Sequence, residues 1–198
     1  GTSSTTGNFA VVSYSLDGTL DTGFGTAGIA SFDFETAFPG GTRDDNAYAV
    51  AIDDNSRIAV MGTSRGTSGT RLAAVFFTST GSVDTTMGTN GAVLLQVEQT
   101  LNGTQSTINS TLTSGLFSNS GFLLAGNAST TPLSSIVLTK VSSNGVANTS
   151  FGTNGFAFLS KNSAYTETNA SAAYSNRWTL AGSYYNSGWD FIVFRYRI

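Results

Sequence analysis

The chain has 198 residues and a net charge of −3, with 39% hydrophobic and only 11% charged residues. A normal apolar fraction with so little charge excludes a disordered chain, which needs the reverse, and the acidic balance leaves no electrostatic footprint for nucleic acid. No apolar run approaches the ~18 residues of a membrane span, and the absence of Cys and His removes a disulfide framework, the usual ligands of structural zinc and the commonest catalytic bases and nucleophiles.

In chain order, residues 1–7 read as a flexible, hydroxyl-rich lead, and residues 8–198 as a single β-repeat domain. Phe9 to Tyr14 is the first strand candidate. A turn at Asp17-Gly18 leads into a glycine-rich connector, Leu20 to Ile29, and then a strand from Gly28 to Phe34. Ala47 to Ile52 and Ile58 to Gly62 complete four strands, the last ending on an apolar-Gly step. The same order then returns. Leu72 to Phe77, the turn at Thr80-Gly81, the connector Val83 to Ala92, and strands near Gly91 to Val97, Ser110 to Leu116 and Phe122 to Gly126 form a second unit. Ile136 to Val141, Asn144-Gly145, Ala147 to Phe156, Gly155 to Leu159, Ala170 to Tyr174 and Trp178 to Gly182 form a third. Phe191 to Tyr196 opens a fourth unit and stops. The units run approximately 8–70, 71–134 and 135–189, with an extra strand at 190–198.

The connectors fix the phase. Gly25, Gly88 and Gly152 are 63 and 64 residues apart. Each follows a large apolar residue, Phe24, Met87 or Phe151, which is expected to plug between sheets while the glycine takes a positive φ. Four strands per unit of this length are the pattern of a propeller blade. Runs such as Ala10-Val11-Val12 and Ile136-Val137-Leu138 suit central strands buried on both faces. The predicted fold is all-β: a propeller-like array of three four-stranded repeats plus one extra C-terminal strand.

The pattern of strand, Asp17-Gly18-Thr19-Leu20-Asp21, Phe24-Gly25, two strands and apolar-x-Gly resembles the delta-60 repeat of bacterial and archaeal surface and secreted proteins. Asp44-Asp45-Asn46-Ala47-Tyr48-Ala49-Val50-Ala51 is similar to that family's third strand. The second unit departs at Met87 and the third at Asn148. The resemblance covers nearly the whole chain from Asn8, and implies a propeller-like fold at the cell surface or outside the cell, with no particular activity.

Candidate chemistry is sparse. Serine and threonine hydroxyls would depend on Lys140, Lys161 or carboxylates for activation. The pairs Asp44-Asp45 and Asp53-Asp54 match no calcium-loop spacing and read as turn chemistry. Catalysis, cofactors and metals are therefore not expected. Asn102, Asn109, Asn127, Asn148 and Asn169 head Asn-x-Ser/Thr sequons and are candidate glycosylation sites. The aromatic segment Tyr184 to Trp189 suits a blade core, a subunit interface or a sugar platform. The surplus strand has Phe191, Ile192, Val193, Phe194, Tyr196 and Ile198 as candidate assembly residues, since an uncovered apolar strand is an association site. The expected function is an extracellular structural protein that self-associates through β-repeat edges into an oligomer or surface filament. The expected partner is the chain itself; the alternative is a propeller-like module that binds carbohydrate or protein.

Overall fold

The computed structural model describes residues 7–39, 44–67, 69–101, 104–118, 121–129, 134–161 and 165–197. It is all-β, 66% strand and 2% helix. Most of the lead, Pro132, the Asn102 sequon and Ile198 lie outside the described residues.

The strands are β1 (Phe9–Val12), β2 (Ile29–Phe32), β3 (Asp44–Ile52), β4 (Ile58–Gly66), β5 (Gly69–Phe77), β6 (Ala92–Leu95), β7 (Val97–Leu101), β8 (Thr104–Ser118), β9 (Gly121–Ser129), β10 (Ser134–Ser142), β11 (Phe156–Leu159), β12 (Tyr165–Tyr174), β13 (Arg177–Tyr185) and β14 (Trp189–Arg197). A single helical turn, α1 (Phe34–Ala37), is capped by the Asp33 carboxylate accepting from the Glu35 N–H. Among the described residues all pairing is antiparallel, in four sheets: β1-β2, β3-β4-β5-β6, β11-β10-β9-β8-β7 and β12-β13-β14.

The sheets do not coincide with the sequence units. Each interior sheet takes the last two strands of one unit and the first two of the next, so the connector crosses between strands of one sheet. The third sheet adds β7, which pairs with the first third of the 15-residue β8. The surplus strand β14 is not left over: it pairs with β13 along its whole length, Arg177↔Arg197 to Tyr185↔Trp189.

Three apolar clusters fill the spaces between successive sheets. Phe9, Phe24, Phe34, Val60, Val75 and Phe77 lie between the first and second. Met61, Leu72, Phe76, Leu112, Phe122 and Val137 lie between the second and third. Leu123, Ile136, Leu138, Phe151, Trp178 and Leu180 lie between the third and fourth. β5 shows why its sequence is apolar without alternation. Leu72, Ala74 and Phe76 face the third sheet, while Ala73, Val75 and Phe77 face the first, so both faces are covered.

The connectors sit in equivalent turns. Gly25, Gly88 and Gly152 take φ of 56, 55 and 58°, and Phe24, Met87 and Phe151 are buried. Asp21, Asp84 and Asn148 each accept a backbone N–H two residues on, from Gly23, Thr86 and Ser150. That bond explains why Asp and Asn alternate at this place: both supply the acceptor of an Asx turn.

Candidate functional site

The exposed large hydrophobic side chains are concentrated at the two ends of the series of sheets. Among the described residues, apart from Val146, all of them belong to the first sheet and its connector, to β3, or to the fourth sheet. An interior sheet has a neighbour on each side; the terminal ones do not.

At the C-terminal end, the cross-strand register groups side chains in rows on the outward face of the fourth sheet. Tyr165, Tyr185 and Trp189 form one row, and Glu167, Ser183 and Phe191 the next. Trp189 meets Tyr165 edge-on at 5.9 Å and Tyr185 at 5.6 Å. The Glu167 carboxylate, and secondarily partial burial, push the Tyr165 phenol above its ordinary pKa. The opposite face, with Trp178, Leu180, Ile192, Phe194 and Tyr196, packs inward. Phe151 and Tyr196 rings lie 5.3 Å apart. The alternation in β14 thus places Ile192, Phe194 and Tyr196 against the chain's own third sheet, and leaves Phe191 and Val193 outside beside Arg195 and Arg197.

Register equivalence gives this exposure its meaning. Against the glycines Gly62, Gly126 and Gly182, Phe191 occupies the place of Leu72 and Ile136, and Val193 that of Ala74 and Leu138. The four interior residues are 0% exposed, whereas Phe191 is 75% and Val193 54% exposed. In the interior, the next sheet covers these places.

The N-terminal end is the reverse. Among the described residues the first sheet consists only of β1 and β2, which correspond to β5 and β6, and it covers only part of the second sheet. Ala49 and Ala51 of β3 face the third sheet; the alternate residues Val50 and Ile52 point the other way and are bare, as is Tyr48 at the β-bulge. Ala10, Val11, Val12, Ala47, Tyr48 and Val50 contribute to an open cleft beside β1.

Two hydrogen bonds recur between sheets. The Gly25 N–H donates to the Thr80 carbonyl at 2.8 Å, and the Gly88 N–H to the Asn144 carbonyl at 3.1 Å. The Leu112 N–H donates to Thr63 Oγ1, and the Thr168 N–H to Asn127 Oδ1, both at 2.9 Å. Thr63 and Asn127 each follow the glycine of the apolar-Gly step, and Leu112 and Thr168 each open a β-bulge. At the ends, each bond has only one of its partners in place. Gly152 and Ser183 hold the C-terminal positions of the two series; Asp17 and Ala47 hold the N-terminal ones.

The sequon asparagines divide. Asn109 and Asn169 are exposed, although Asn109 Oδ1 accepts from the Thr70 N–H at 2.8 Å. Asn127 and Asn148 are half-buried, with their carbonyl oxygens engaged as described. The acidic pairs serve the fold. Asp45 Oδ2 accepts from the buried Phe34 N–H, and Asp53 binds Arg57 through its guanidinium at 2.7 Å and its backbone N–H at 2.9 Å. Among the described residues no group of three or more His, Cys, Asp or Glu could hold a metal, and no helix is long and apolar enough to cross a membrane. Gly62-Thr63-Ser64-Arg65-Gly66 has the spacing of a nucleophile elbow. It lies within the β4 ladder instead of a strand-to-helix turn, with Ser64 fully buried.

No family model matches the chain, and no curated protein matches it.

Proposed function

We propose that the chain is a non-catalytic, extracellular structural protein of propeller-like repeats that self-associates into an oligomer or filament. The observation that supports this reading is the confinement, among the described residues, of exposed large apolar side chains, Val146 aside, to the two ends of the sheet series. Contiguous bare apolar surface of this kind marks an interaction site, and two different complementary patches generate rings or filaments. The placement outside the cell rests on the resemblance to surface repeats. Sedimentation velocity over a dilution series tests self-association. A mass that rises with concentration is expected; a monomer throughout the range excludes it.

One observation favours a second reading, a carbohydrate-binding module. Tyr165, Tyr185 and Trp189 present exposed rings beside the Glu167 carboxylate, a composition suited to stacking on sugar faces. A glycan array decides it: binding lost in Trp189→Ala would support a lectin role, and no binding would remove it.

A further inference from the structure

The two bare ends share one structural slot. Phe9 and Val11 of β1 correspond in register to Phe191 and Val193 of β14, and Tyr14, five residues after Phe9, corresponds to Tyr196, five residues after Phe191. The strands bury opposite faces of that slot. In β1, Phe9 is 0% exposed against the second sheet, while Val12 and Tyr14 are 43% and 64% exposed. In β14, Phe194 and Tyr196 pack against the third sheet, while Phe191 and Val193 are exposed. In β5 both faces are covered.

Resting on the self-association reading, we infer that copies assemble head to tail by sharing one sheet: β12, β13 and β14 of one copy lie over the second sheet of the next, and β14 takes the place of its β1. The occupant of each bare face is thus a second copy of this chain. Phe191 replaces Phe9 beside Phe34, Val193 replaces Val11, and the next copy's β2 pairs with β14 as β6 pairs with β5. β12 and β13 cover Tyr48, Val50 and Ile52, which β1 and β2 leave bare. The same superposition closes both recurring hydrogen bonds. Ser183 Oγ comes to the Ala47 N–H of the next copy as Thr63 Oγ1 does to Leu112. The Gly152 N–H comes to the Asp17 carbonyl as Gly88 does to Asn144. Gly18 is ready for this contact: a Cβ there meets nothing within 4 Å, whereas one on Gly81 or Gly145 would meet Gly25 or Gly88 at 2.6 or 2.5 Å. β1 is the strand to yield because its ladder has four residue pairs, with β2 only, against nine between β14 and β13.

The absence of cysteine in these 198 residues allows a direct test. Ser183→Cys and Ala47→Cys proteins, mixed with a short thiol cross-linker, are expected to give a dimer that neither gives alone. Hydrogen exchange on assembly is expected to show protection lost at Phe9 to Val12 and gained at Phe191 to Phe194. Phe191→Asp, at a site exposed in the monomer, is expected to leave the melting temperature unchanged and to weaken association at least about tenfold, as loss of a central anchor does. Oligomers without the cross-link, with β1 still protected or with Phe191→Asp unaffected, would overturn this arrangement while leaving self-association intact. A wild-type chain that stays monomeric at every concentration would overturn both.

Discussion

Ala27 has φ of 53°, at the place where the other connectors put Asn90 and Asn154, at 52 and 53°. Left-handed backbone costs an L-residue with a Cβ roughly 1–2 kcal/mol, and asparagine tolerates it better. Ala27 is exposed, so Ala27→Asn is expected to stabilise the chain by about 1 kcal/mol in thermal unfolding; a loss would mean that the connectors are not equivalent. Phe151 answers the opposite question, since it plugs the space between the third and fourth sheets. Phe151→Ala is expected to cost about 3–5 kcal/mol, read by denaturant titration. Asp53 adds a pH dependence. Burial pushes its carboxyl up, but the Arg57 N–H, the Arg57 guanidinium and the Asn55 N–H outweigh burial and hold it below its ordinary 3.8. A depressed folded pKa contributes stability that is present above 3.8 and lost as pH falls through the lower folded value. Asp53→Asn is therefore expected to flatten the acid limb of the stability profile, with no change in its shape above about pH 5.

Individual elements show how far the sequence could be read. The connectors, the Asp-Gly and Asn-Gly turns and the apolar strands were legible because glycine position and apolar runs report local geometry directly. β8 was legible only in part: its Thr, Ser, Asn and Gln residues carry little alternation, and its first third is fixed by pairing with β7, itself missed. The pairing of sheets across unit boundaries was not legible, because strand order depends on contacts between distant segments. The apolar-Gly step has a cause that the sequence alone concealed. A Cβ on Gly62, Gly126 or Gly182 would come within 2.0, 2.4 or 1.9 Å of the Asn46, Thr111 or Glu167 carbonyl oxygen, where the neighbouring strand begins its bulge. Gly126→Ala is expected to destabilise by about 1–3 kcal/mol or more through this overlap. An unchanged midpoint in guanidinium would show that the bulge can move aside. At the candidate site, the apolar character of β14 was readable, but the orientation of its faces was not. The alternation identifies two sets of residues, and only the pairing with β13 decides that Ile192, Phe194 and Tyr196 turn inward.

At the scale of the molecule, the chain is a series of antiparallel sheets with unlike ends. Its interior interfaces join one sheet's C-terminal face to the next sheet's N-terminal face, and the terminal sheets leave one face of each kind uncovered. The proposed sharing of a sheet between copies would give three sheets per chain. Two copies then supply six, within the four to eight of closed propellers, so fanned sheets close a ring; sheets that stack with a twist continue into a filament. Low charge, 11% of residues, favours either close assembly, because few like charges must be brought together. Electron microscopy of the concentrated wild-type chain tests this most directly. Rings of two copies or filaments are expected, all built from sheets that continue without a break from one copy to the next. Separate particles of one chain each, at every concentration, would contradict it.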